Sequence, residues 1–425
     1  MIVQFYGGHM EVLKGNLMFG QSGGPTAVIN ASAAGVFIEA LKHAEVIEKV
    51  YGAAHGIVGV LNEDFYDMGQ EDPEELELLK NTPSSLLGSC RYKLADPDVD
   101  DTDYRRILDV FKKYNIRYFF YNGGNDSMDT CSKISKFLQS ADYDCRVMGV
   151  PKTIDNDLHG TDHCPGFPSA ARYIATSVME VYQDAHVYDT GQITILEIMG
   201  RNAGWLVGAS ALAAEYGVGP DLIYLPEVAF DLDKMVEDIK DIYEKHNKVI
   251  VAVSEGVRTE DGTYIPELVG EVKTDAFGHK QMGGAAQVLA DYLADRMDVK
   301  IRAIEFSLLQ RCAAHLASQI DVDEAFEVGA EAVRQAIAGK SGYMIGINRT
   351  SDMPYASETI LVELSEAANT EDKVPLEWIN DEGNYVTQEF IDHVRPLVSV
   401  AANPPQVDGL PRFANLKKVQ AGLKK

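Results

Sequence analysis

Short apolar segments alternate with helix-like segments along most of the chain, and this alternation restricts the possible fold more than any other feature. The segments NLMFG (16–20), IRYFFYN (116–122) and CRVMGV (145–150) are short and apolar, as fully buried strands are. The segment from Ile107 to Tyr114 carries apolar residues at helical spacing. Repeated units of strand, loop and helix predict a parallel sheet with helices on both faces.

The alternation continues far enough to predict a second sheet. Further strand-like segments lie at 192–200, 222–227, 248–256, 302–306 and 342–349. A long helix is predicted from Arg311 to about Lys340. We therefore predict an α/β fold of two doubly wound, mostly parallel-sheet domains with the active site between them.

Domain boundaries are predicted where the pattern changes. The first domain takes residues 15–165 and about 311–348, and the second takes residues 166–310 and about 349–425. The last part is less periodic, and we interpret it as loops and helices added around the second sheet. Residues 1–14 are interpreted as an N-terminal extension, which is either native or a cloning remnant.

Composition excludes several classes of function. The formal net charge is −27, so we expect no binding to nucleic acid or to an anionic membrane. The sequence has neither an apolar run of roughly eighteen residues nor a secretory signal, so a soluble cytoplasmic protein is expected. The cysteines form no CxxC pair and are expected to be reduced thiols: Cys90, Cys131, Cys145, Cys164 and Cys312.

Two glycine pairs stand between a predicted strand and a predicted helix. Gly23 and Gly24 form the first pair, and Gly123 and Gly124 form the second. Without side chains, their backbone amides can approach a phosphate, and the following helix adds its positive end. A tight turn explains one such pair equally well, whereas two pairs in the same sheet favour a phosphate site. The second loop continues as Asn125-Asp126-Ser127, where Ser127 is a candidate helix cap and Asp126 is either a helix N-terminal charge or a ligand group.

The segment PKTIDND (151–157) concentrates charge directly after a predicted strand. In an extended loop, residues two apart point the same way, so Thr153, Asp155 and Asp157 share a face with Lys152 beside them. Two close carboxylates help to keep one available as a base, and a lysine offers positive charge to an oxyanion. The segment therefore predicts a proton acceptor next to an anion-binding group.

The remaining strand ends carry further polar groups. Arginine suits bidentate capture of phosphate, and each of these residues taken alone could also be an ordinary surface residue. The candidates are Met199, Gly200, Arg201, Glu255, Arg302 and Arg311.

Taken in order, these segments resemble the phosphofructokinase family. The resemblance rests on SGG (22–24), SCR (89–91), GGNDS (123–127), PKTIDND (151–157), MGR (199–201), SEG (254–256) and R-x8-QR (302–311). These markers span about residues 15 to 345 and keep the family order. The resemblance implies the two-domain fold of that family and transfer of a phosphoryl group to the 1-hydroxyl of fructose 6-phosphate.

The resemblance also implies a role for each matching residue. Asp155 would be the base that takes the proton of the sugar hydroxyl, with Lys152, Asp126, Thr153 and Asp157 completing the catalytic group. The phosphoryl donor would be held by Gly23, Gly24, Arg91, Gly123, Gly124, Asn125 and Ser127. The sugar phosphate would be held by Thr153, Asp155, Met199, Gly200, Arg201, Glu255, Arg302, Leu308 and Arg311. Mg²⁺ would be the cofactor, and a homodimer or homotetramer is implied because the arginine matching Arg302 crosses a subunit boundary.

Two positions indicate the donor. ATP-using members of the family resemble GGDGS and PGTIDND, whereas this chain has Asp126 and Lys152 at the two glycine positions that differ. A carboxylate at 126 would repel the α-phosphate of ATP, and Lys152 would place a cation beside the leaving phosphate. The resemblance therefore implies a pyrophosphate donor. An ATP-dependent sugar kinase and a catalytically silent regulatory relative are the alternatives.

The chain departs from the family pattern at three positions. Asn125 replaces the usual aspartate at the metal position, so the resemblance leaves ligation by Asn125 and Asp126 open, with Asp155 as a further candidate. Gln192 replaces a second intersubunit arginine, and Leu308 replaces a histidine that faces the sugar phosphate. Both changes leave the detail of phosphate capture open.

Overall fold

The computed structural model describes residues 12–269, 284–368 and 370–422, so most of the interpreted N-terminal extension lies outside the described residues. The strands are β1 (Gly15–Gln21), β2 (Ile47–Ala53), β3 (Phe65–Asp67), β4 (Ile116–Gly123), β5 (Arg146–Pro151), β6 (Gln192–Ile198), β7 (Leu222–Tyr224), β8 (Lys248–Ser254), β9 (Lys300–Glu305), β10 (Tyr343–Asp352), β11 (Tyr355–Glu363), β12 (Gln406–Val407) and β13 (Leu410–Pro411).

Helices connect most of these strands. They are α1 (Ile29–Leu41), α2 (Ile57–Asn62), α3 (Pro73–Leu78), α4 (Thr102–Lys113), α5 (Asn125–Ser140), α6 (Phe167–Ala185), α7 (Trp205–Ala209), α8 (Leu232–His246), α9 (Ala285–Ala294), α10 (Gln319–Ile337), α11 (Leu364–Ala367) and α12 (Gln388–Val398). Among the described residues, no helix is long and apolar enough to cross a membrane.

Two mainly parallel sheets form the framework. In the described part of the chain, the first sheet has seven strands in the order β11-β10-β5-β4-β1-β2-β3, with only the two outermost strands antiparallel to their neighbours. The second has four parallel strands in the order β7-β8-β6-β9. The α/β prediction is therefore confirmed. The carboxyl ends of the parallel strands in both sheets can contribute residues to one site.

The inner strands are buried because helices cover both faces of each sheet. All seven residues of β1 and of β6 are buried, which explains why apolar residues predominate in both strands. Helices α1 and α10 pack against each other at two glycines. A Cβ on Gly35 would lie 2.0 Å from the carbonyl oxygen of Phe326, and one on Gly329 would lie 2.1 Å from that of Ser32. The two helix backbones therefore touch directly.

The predicted helix from Arg311 to about Lys340 is wrong at its beginning. Residues Ser307–Arg311 form a short 3₁₀ turn, and α10 begins only at Gln319. Ser318 precedes the helix in an extended conformation, because its backbone N–H donates to Ser169 Oγ at 3.1 Å and its hydroxyl donates to the Leu397 carbonyl at 2.6 Å. These tertiary contacts have no signature in the local sequence.

The C-terminal region is divided between the two domains, which corrects the assignment of all of 349–425 to the second. Strand β11 pairs antiparallel with β10 in the first sheet, and Ala414 and Leu416 belong to the core beneath that sheet. Helix α12, in contrast, packs on the second domain, where Phe390 stacks on Trp205 at 5.8 Å between ring centroids. The alternation of polar residues along β11 conceals it, because this edge strand exposes many of its side chains.

A buried carboxylate connects α10 to the second domain. Asp321 is 1% exposed, and it accepts hydrogen bonds from the backbone N–H groups of Gly166 at 2.8 Å and Ser169 at 3.0 Å. These groups form the N-terminal end of α6, where a negative charge is favoured. Asp321 therefore fixes the start of α6 relative to the first domain.

We predict that Asp321→Ala lowers the free energy of unfolding by about 1–3 kcal/mol, because two buried N–H groups lose their acceptor. The control is Asp323→Ala on the same helix, where the side chain is exposed and accepts a hydrogen bond from Gln319 at 2.8 Å. Urea unfolding of both variants measures the difference. Equal stability of the two variants would contradict the assigned role.

Candidate active site

A cavity of about 740 Å³ opens between the strand ends of the two sheets. It brings together residues that are far apart in the sequence but follow successive strands. The lining residues are Ser22, Gly23, Gly24, Pro25, Arg91, Gly124, Asn125, Asp126, Ser127, Lys152, Thr153, Ile154, Asp155, Asp157, Met199, Arg201, Asn202, Ala203, Glu255, Leu308, Arg311 and Glu371.

The first glycine loop is held in place by the segment that contains Arg91. The N–H of Gly23 donates to the Cys90 carbonyl at 3.1 Å, and the Ser89 hydroxyl donates to the Gly23 carbonyl at 2.6 Å. Gly23 has a φ of +74°, which favours glycine, and a Cβ at Gly24 would lie 3.1 Å from Arg311 Nη1. The loop is therefore shaped for close approach of positively charged side chains.

The second glycine loop leads directly into α5. A Cβ on Gly123 would lie 1.9 Å from Ser127 Oγ, so a larger residue would not fit. Asp126 stands in the first turn of α5 and also lines the cavity, so its position suits either of the two roles that the sequence left open. The amide of Asn125 donates to Asp157 Oδ2 at 3.1 Å, whereas its buried Oδ1 has no hydrogen-bond partner among the residues that the structure describes.

The loop after β5 turns back on itself and fixes the predicted catalytic residues. The N–H of Asp155 donates to Thr153 Oγ1 at 3.1 Å, and the N–H of Thr153 donates to the Pro165 carbonyl at 3.3 Å. Asn156 has a φ of 57°, and its Oδ1 accepts the N–H of Cys164 at 2.8 Å. These hydrogen bonds fix the conformation of the loop, and Asp155 borders the cavity.

Lys152 is the buried cation of the site. Its side chain is only 4% exposed, and its ammonium lies against the first glycine loop, 3.2 Å from the position of a Cβ on Gly23. Burial lowers the pKa of Lys152 to about 8, although the negative charges of Asp155 and Asp157 oppose this shift. Lys152 is therefore still mostly charged at neutral pH.

The carboxylates around Lys152 have raised pKa values. Burial raises the pKa of Asp155, against the effect of the nearby Arg201 and Lys152. Burial and the charge of Asp155 raise the pKa of Asp157 to about 7, and the same two causes raise that of Glu255 to about 7. Groups that ionise near neutral pH are suited to accept a proton.

Backbone turns at the end of the second sheet form the other wall. The N–H of Met199 donates to Gln310 Oε1 at 3.0 Å, and the N–H of Gly200 donates to Glu255 Oε1 at 3.3 Å. A Cβ on Gly256 would lie 1.8 Å from the Arg201 carbonyl oxygen, so the MGR and SEG turns pack backbone against backbone. The structure thus brings the segments 199–201 and 254–256 together.

Most of the residues predicted from the sequence line this cavity, and three do not. Gly123 and Gly200 lie in the lining loops without reaching the cavity. Arg302 lies outside it on the edge strand β9, where its guanidinium is 3.5 Å from Asp184 Oδ2. Leu308 lines the cavity and is 56% exposed.

Sequence reasoning missed one charged residue of the site, Glu371. It forms a β-bridge with Leu158, and the N–H of Asp372 donates to the Asp157 carbonyl at 3.0 Å. The carboxylate of Glu371 accepts hydrogen bonds from Asn202, which also lines the cavity. Neither residue belongs to a motif, and Glu371 lies more than two hundred residues after Asp157 in the chain.

Comparison with known proteins shows the family to which the chain belongs. The model of the phosphofructokinase family (PFK) matches residues 16–305. A pyrophosphate--fructose 6-phosphate 1-phosphotransferase of Halomonas elongata is 43% identical, with 95% of this chain and 96% of that protein covered. One from Methylococcus capsulatus is 42% identical, with 95% and 96% covered.

A solved structure gives the same result. The crystal structure of a pyrophosphate-dependent phosphofructokinase from Marinobacter aquaeolei has a TM-score of 0.87 and is 39% identical. The comparison covers 97% of this chain and 98% of that one. The resemblance inferred from the sequence is confirmed.

We predict that Lys152→Met weakens sulfate binding to the cavity roughly tenfold or more, because a charged hydrogen-bond donor is lost. The charge of sulfate is constant between pH 6 and 9. Wild-type affinity should therefore decrease as the pH rises through about 8, where Lys152 loses its proton, and this step should be missing in the variant. Titration calorimetry measures both effects.

The matched control is Lys133→Met, which removes a lysine that is paired with Asp129 at 2.7 Å outside the cavity. It should bind sulfate as the wild type does. An unchanged affinity in Lys152→Met would show that the ammonium does not face the anion.

Proposed function

The chain belongs to the phosphofructokinase family, and we propose that it transfers a phosphoryl group reversibly from pyrophosphate to the 1-hydroxyl of fructose 6-phosphate. The products are fructose 1,6-bisphosphate and phosphate. One observation carries the choice of donor: a buried ammonium, that of Lys152, lies between a glycine loop and the catalytic carboxylates. The relatives at 42–43% identity bear the names of this reaction, which supports it over an ATP-dependent kinase.

Asp155 is the base in this proposal. It borders the cavity, its backbone is fixed by Thr153, and its pKa is raised by burial. The carboxylate accepts the proton of the sugar hydroxyl as the oxygen attacks phosphorus. The bond from phosphorus to the bridging oxygen breaks, and phosphate leaves with that electron pair. The positive charges of Lys152 and Arg311 reduce the repulsion between the anionic partners.

Lys152 and Asp126 select the donor. The ammonium lies close to the first glycine loop, where it would face a phosphate of pyrophosphate. Asp126 lines the cavity in the first turn of α5, directly after the second glycine loop, where it would repel an α-phosphate that continues into a nucleoside. A compact donor of two linked phosphates therefore fits the pair better than a nucleotide.

The proposal includes a divalent metal, Mg²⁺, bound together with pyrophosphate. Among the described residues, no cluster of three or more His, Cys, Asp or Glu is arranged to hold a metal ion by itself. The Oδ1 of Asn125 has no hydrogen-bond partner within the described ranges, and the carboxylates of Asp126 and Asp157 are nearby. This arrangement suits an ion that takes most of its ligands from phosphates and water. Such an ion neutralises charge on the transferred group.

Arg302 supports a proposed homo-oligomer, either a dimer or a tetramer. It lies on the edge strand β9 outside the cavity of its own chain, and its side chain is 44% exposed. From this position it can extend to the sugar 6-phosphate of a second copy. We further expect the enzyme to act in the cytoplasm.

A catalytically silent relative is the other alternative, and two observations oppose it. The base and the lysine are both present, and both border one ordered cavity. Its only support is the neutral Asn125 at the metal position. Sugar phosphate binding without transfer from any donor would favour it.

A donor-exchange assay tests the proposal, with fructose 6-phosphate and Mg²⁺ and either pyrophosphate or ATP. We predict transfer from pyrophosphate and little from ATP. Asp126→Gly combined with Lys152→Gly should lower pyrophosphate use about a hundredfold or more and raise ATP use relative to it. The control removes the Asp129–Lys133 ion pair by alanine substitution at both positions. Full pyrophosphate activity in the first double variant would contradict the roles of both residues.

A second prediction concerns the base. Asp155→Ser should leave the binding of both substrates largely intact and lower kcat by about 10² to 10⁴, the usual contribution of a positioned base. Asp381→Ser, at an exposed site, is the control and should keep normal rates. A rate for Asp155→Ser within a few-fold of the wild type would rule out Asp155 as the base.

A further inference from the structure

We propose that Glu371 is a specificity-determining residue that accepts hydrogen bonds from ring hydroxyl groups of the sugar phosphate. This inference rests on the proposed function, because it assigns a role within the same cavity. Glu371 lies outside the part of the chain that the family model matches, residues 16–305. The family motifs therefore do not account for it.

The position of Glu371 is fixed from both domains. Its backbone bridges to Leu158, directly after the TIDND segment, and the next residue donates its N–H to the Asp157 carbonyl at 3.0 Å. On the other side, the indole N–H of Trp205 donates to the Asp372 carbonyl at 3.1 Å. The short segment 371–372 thus connects the catalytic loop to the start of α7, and Glu371 lines the cavity there.

Its side chain is held on the sugar side of the cavity. Asn202 Nδ2 donates to Glu371 Oε1 at 3.1 Å and to Oε2 at 3.3 Å. Asn202 directly follows Arg201, at the end of a strand of the second sheet. The residue that orients the carboxylate therefore belongs to the side of the cavity where the sugar phosphate is proposed to bind. It does not belong to the glycine loops.

The charges around the cavity decide what this carboxylate can contact. The acidic lining residues are Asp126, Asp155, Asp157, Glu255 and Glu371, and the basic ones are Arg91, Lys152, Arg201 and Arg311. An ionised carboxylate repels phosphate groups. It accepts hydrogen bonds and cannot donate them. Each Glu371 oxygen accepts a bond from Asn202 and has a second lone pair that a hydroxyl group can use. Hydroxyl groups of the acceptor are therefore the matching partners.

Recognition of hydroxyl groups gives selectivity among ketose phosphates. Glu371 is exposed in the protein without substrate, and a sugar bound over it would cover its carboxylate. A site group that pairs with a hydroxyl rejects an analogue in which that hydroxyl points elsewhere, because the covered polar atom is then left unpaired. Tagatose 6-phosphate and psicose 6-phosphate differ from fructose 6-phosphate only in configuration at C4 and C3. Glu371 should therefore contribute to discrimination against at least one of these epimers.

The test compares the wild type with Glu371→Ala and Glu371→Gln, using pyrophosphate as donor and the three ketose 6-phosphates as acceptors. We expect KM for fructose 6-phosphate to rise roughly tenfold to a hundredfold in Glu371→Ala, and less in Glu371→Gln, which keeps one acceptor oxygen. KM for pyrophosphate should stay within about twofold, since the contact is on the sugar. The ratio of kcat/KM between fructose 6-phosphate and an epimer should fall by a similar factor.

The control is Glu366→Gln on α11, where the side chain is exposed and outside the cavity. Unchanged discrimination in Glu371→Ala, or an equal loss for all three acceptors, would overturn the proposal. A lower melting temperature with an unchanged KM would assign Glu371 a purely structural role and would also overturn it.

Calorimetry of fructose 6-phosphate binding in the absence of a donor tests the role of Glu371 separately from the proposed transfer reaction. Weaker binding in Glu371→Ala supports the residue's role even if the donor were not pyrophosphate. Absence of transfer by the wild-type protein from any donor would reject the proposed function, whereas unchanged sugar binding in the variant would reject only the role of Glu371.

Discussion

The charge of Lys152 is the constraint on which the site depends. Removing an ammonium from water costs several kcal/mol unless neighbouring groups compensate. Here the compensation comes from the negative charges of Asp155 and Asp157. Burial disfavours the charged form of both carboxyl groups, and the charge of Asp155 disfavours that of Asp157 further. Glycine at position 23 allows the ammonium to approach the loop backbone. The ammonium therefore depends on the two carboxylates for charge compensation and on the glycine for space.

The fold assembles this unit because parallel strands end at the same edge of a sheet. The glycine loops and the catalytic loop follow β1, β4 and β5, which are neighbours in the first sheet. The MGR and SEG turns follow β6 and β8, which are neighbours in the second. Connections such as Asp321, which holds the start of α6, keep the two edges facing each other. The first sheet thus carries the loops proposed to bind the donor, and the second carries the turns proposed to bind the sugar phosphate.

The sequence predicted the parts of the site that local patterns encode. Glycine pairs, TIDND and MGR are short, and each has a physical reason to stand at a strand end, so their residues were identified and most line the cavity. The start of α10 and the position of β11 were missed, because hydrogen bonds to distant residues determine them. Glu371 was missed for the same reason: only the folded chain brings it next to Leu158 and Asn202.

The contact between α1 and α10 has a consequence for engineering. With Gly35 and Gly329 at the crossing, main-chain atoms meet without flexible side chains between them, so neither helix can adjust to a bulkier neighbour. Helix α1 follows the first glycine loop. A shift of this helix would therefore also move the loop that is proposed to bind the phosphoryl donor. Mutant libraries that seek new acceptor preferences should therefore leave this crossing untouched and diversify the segment around Glu371 instead.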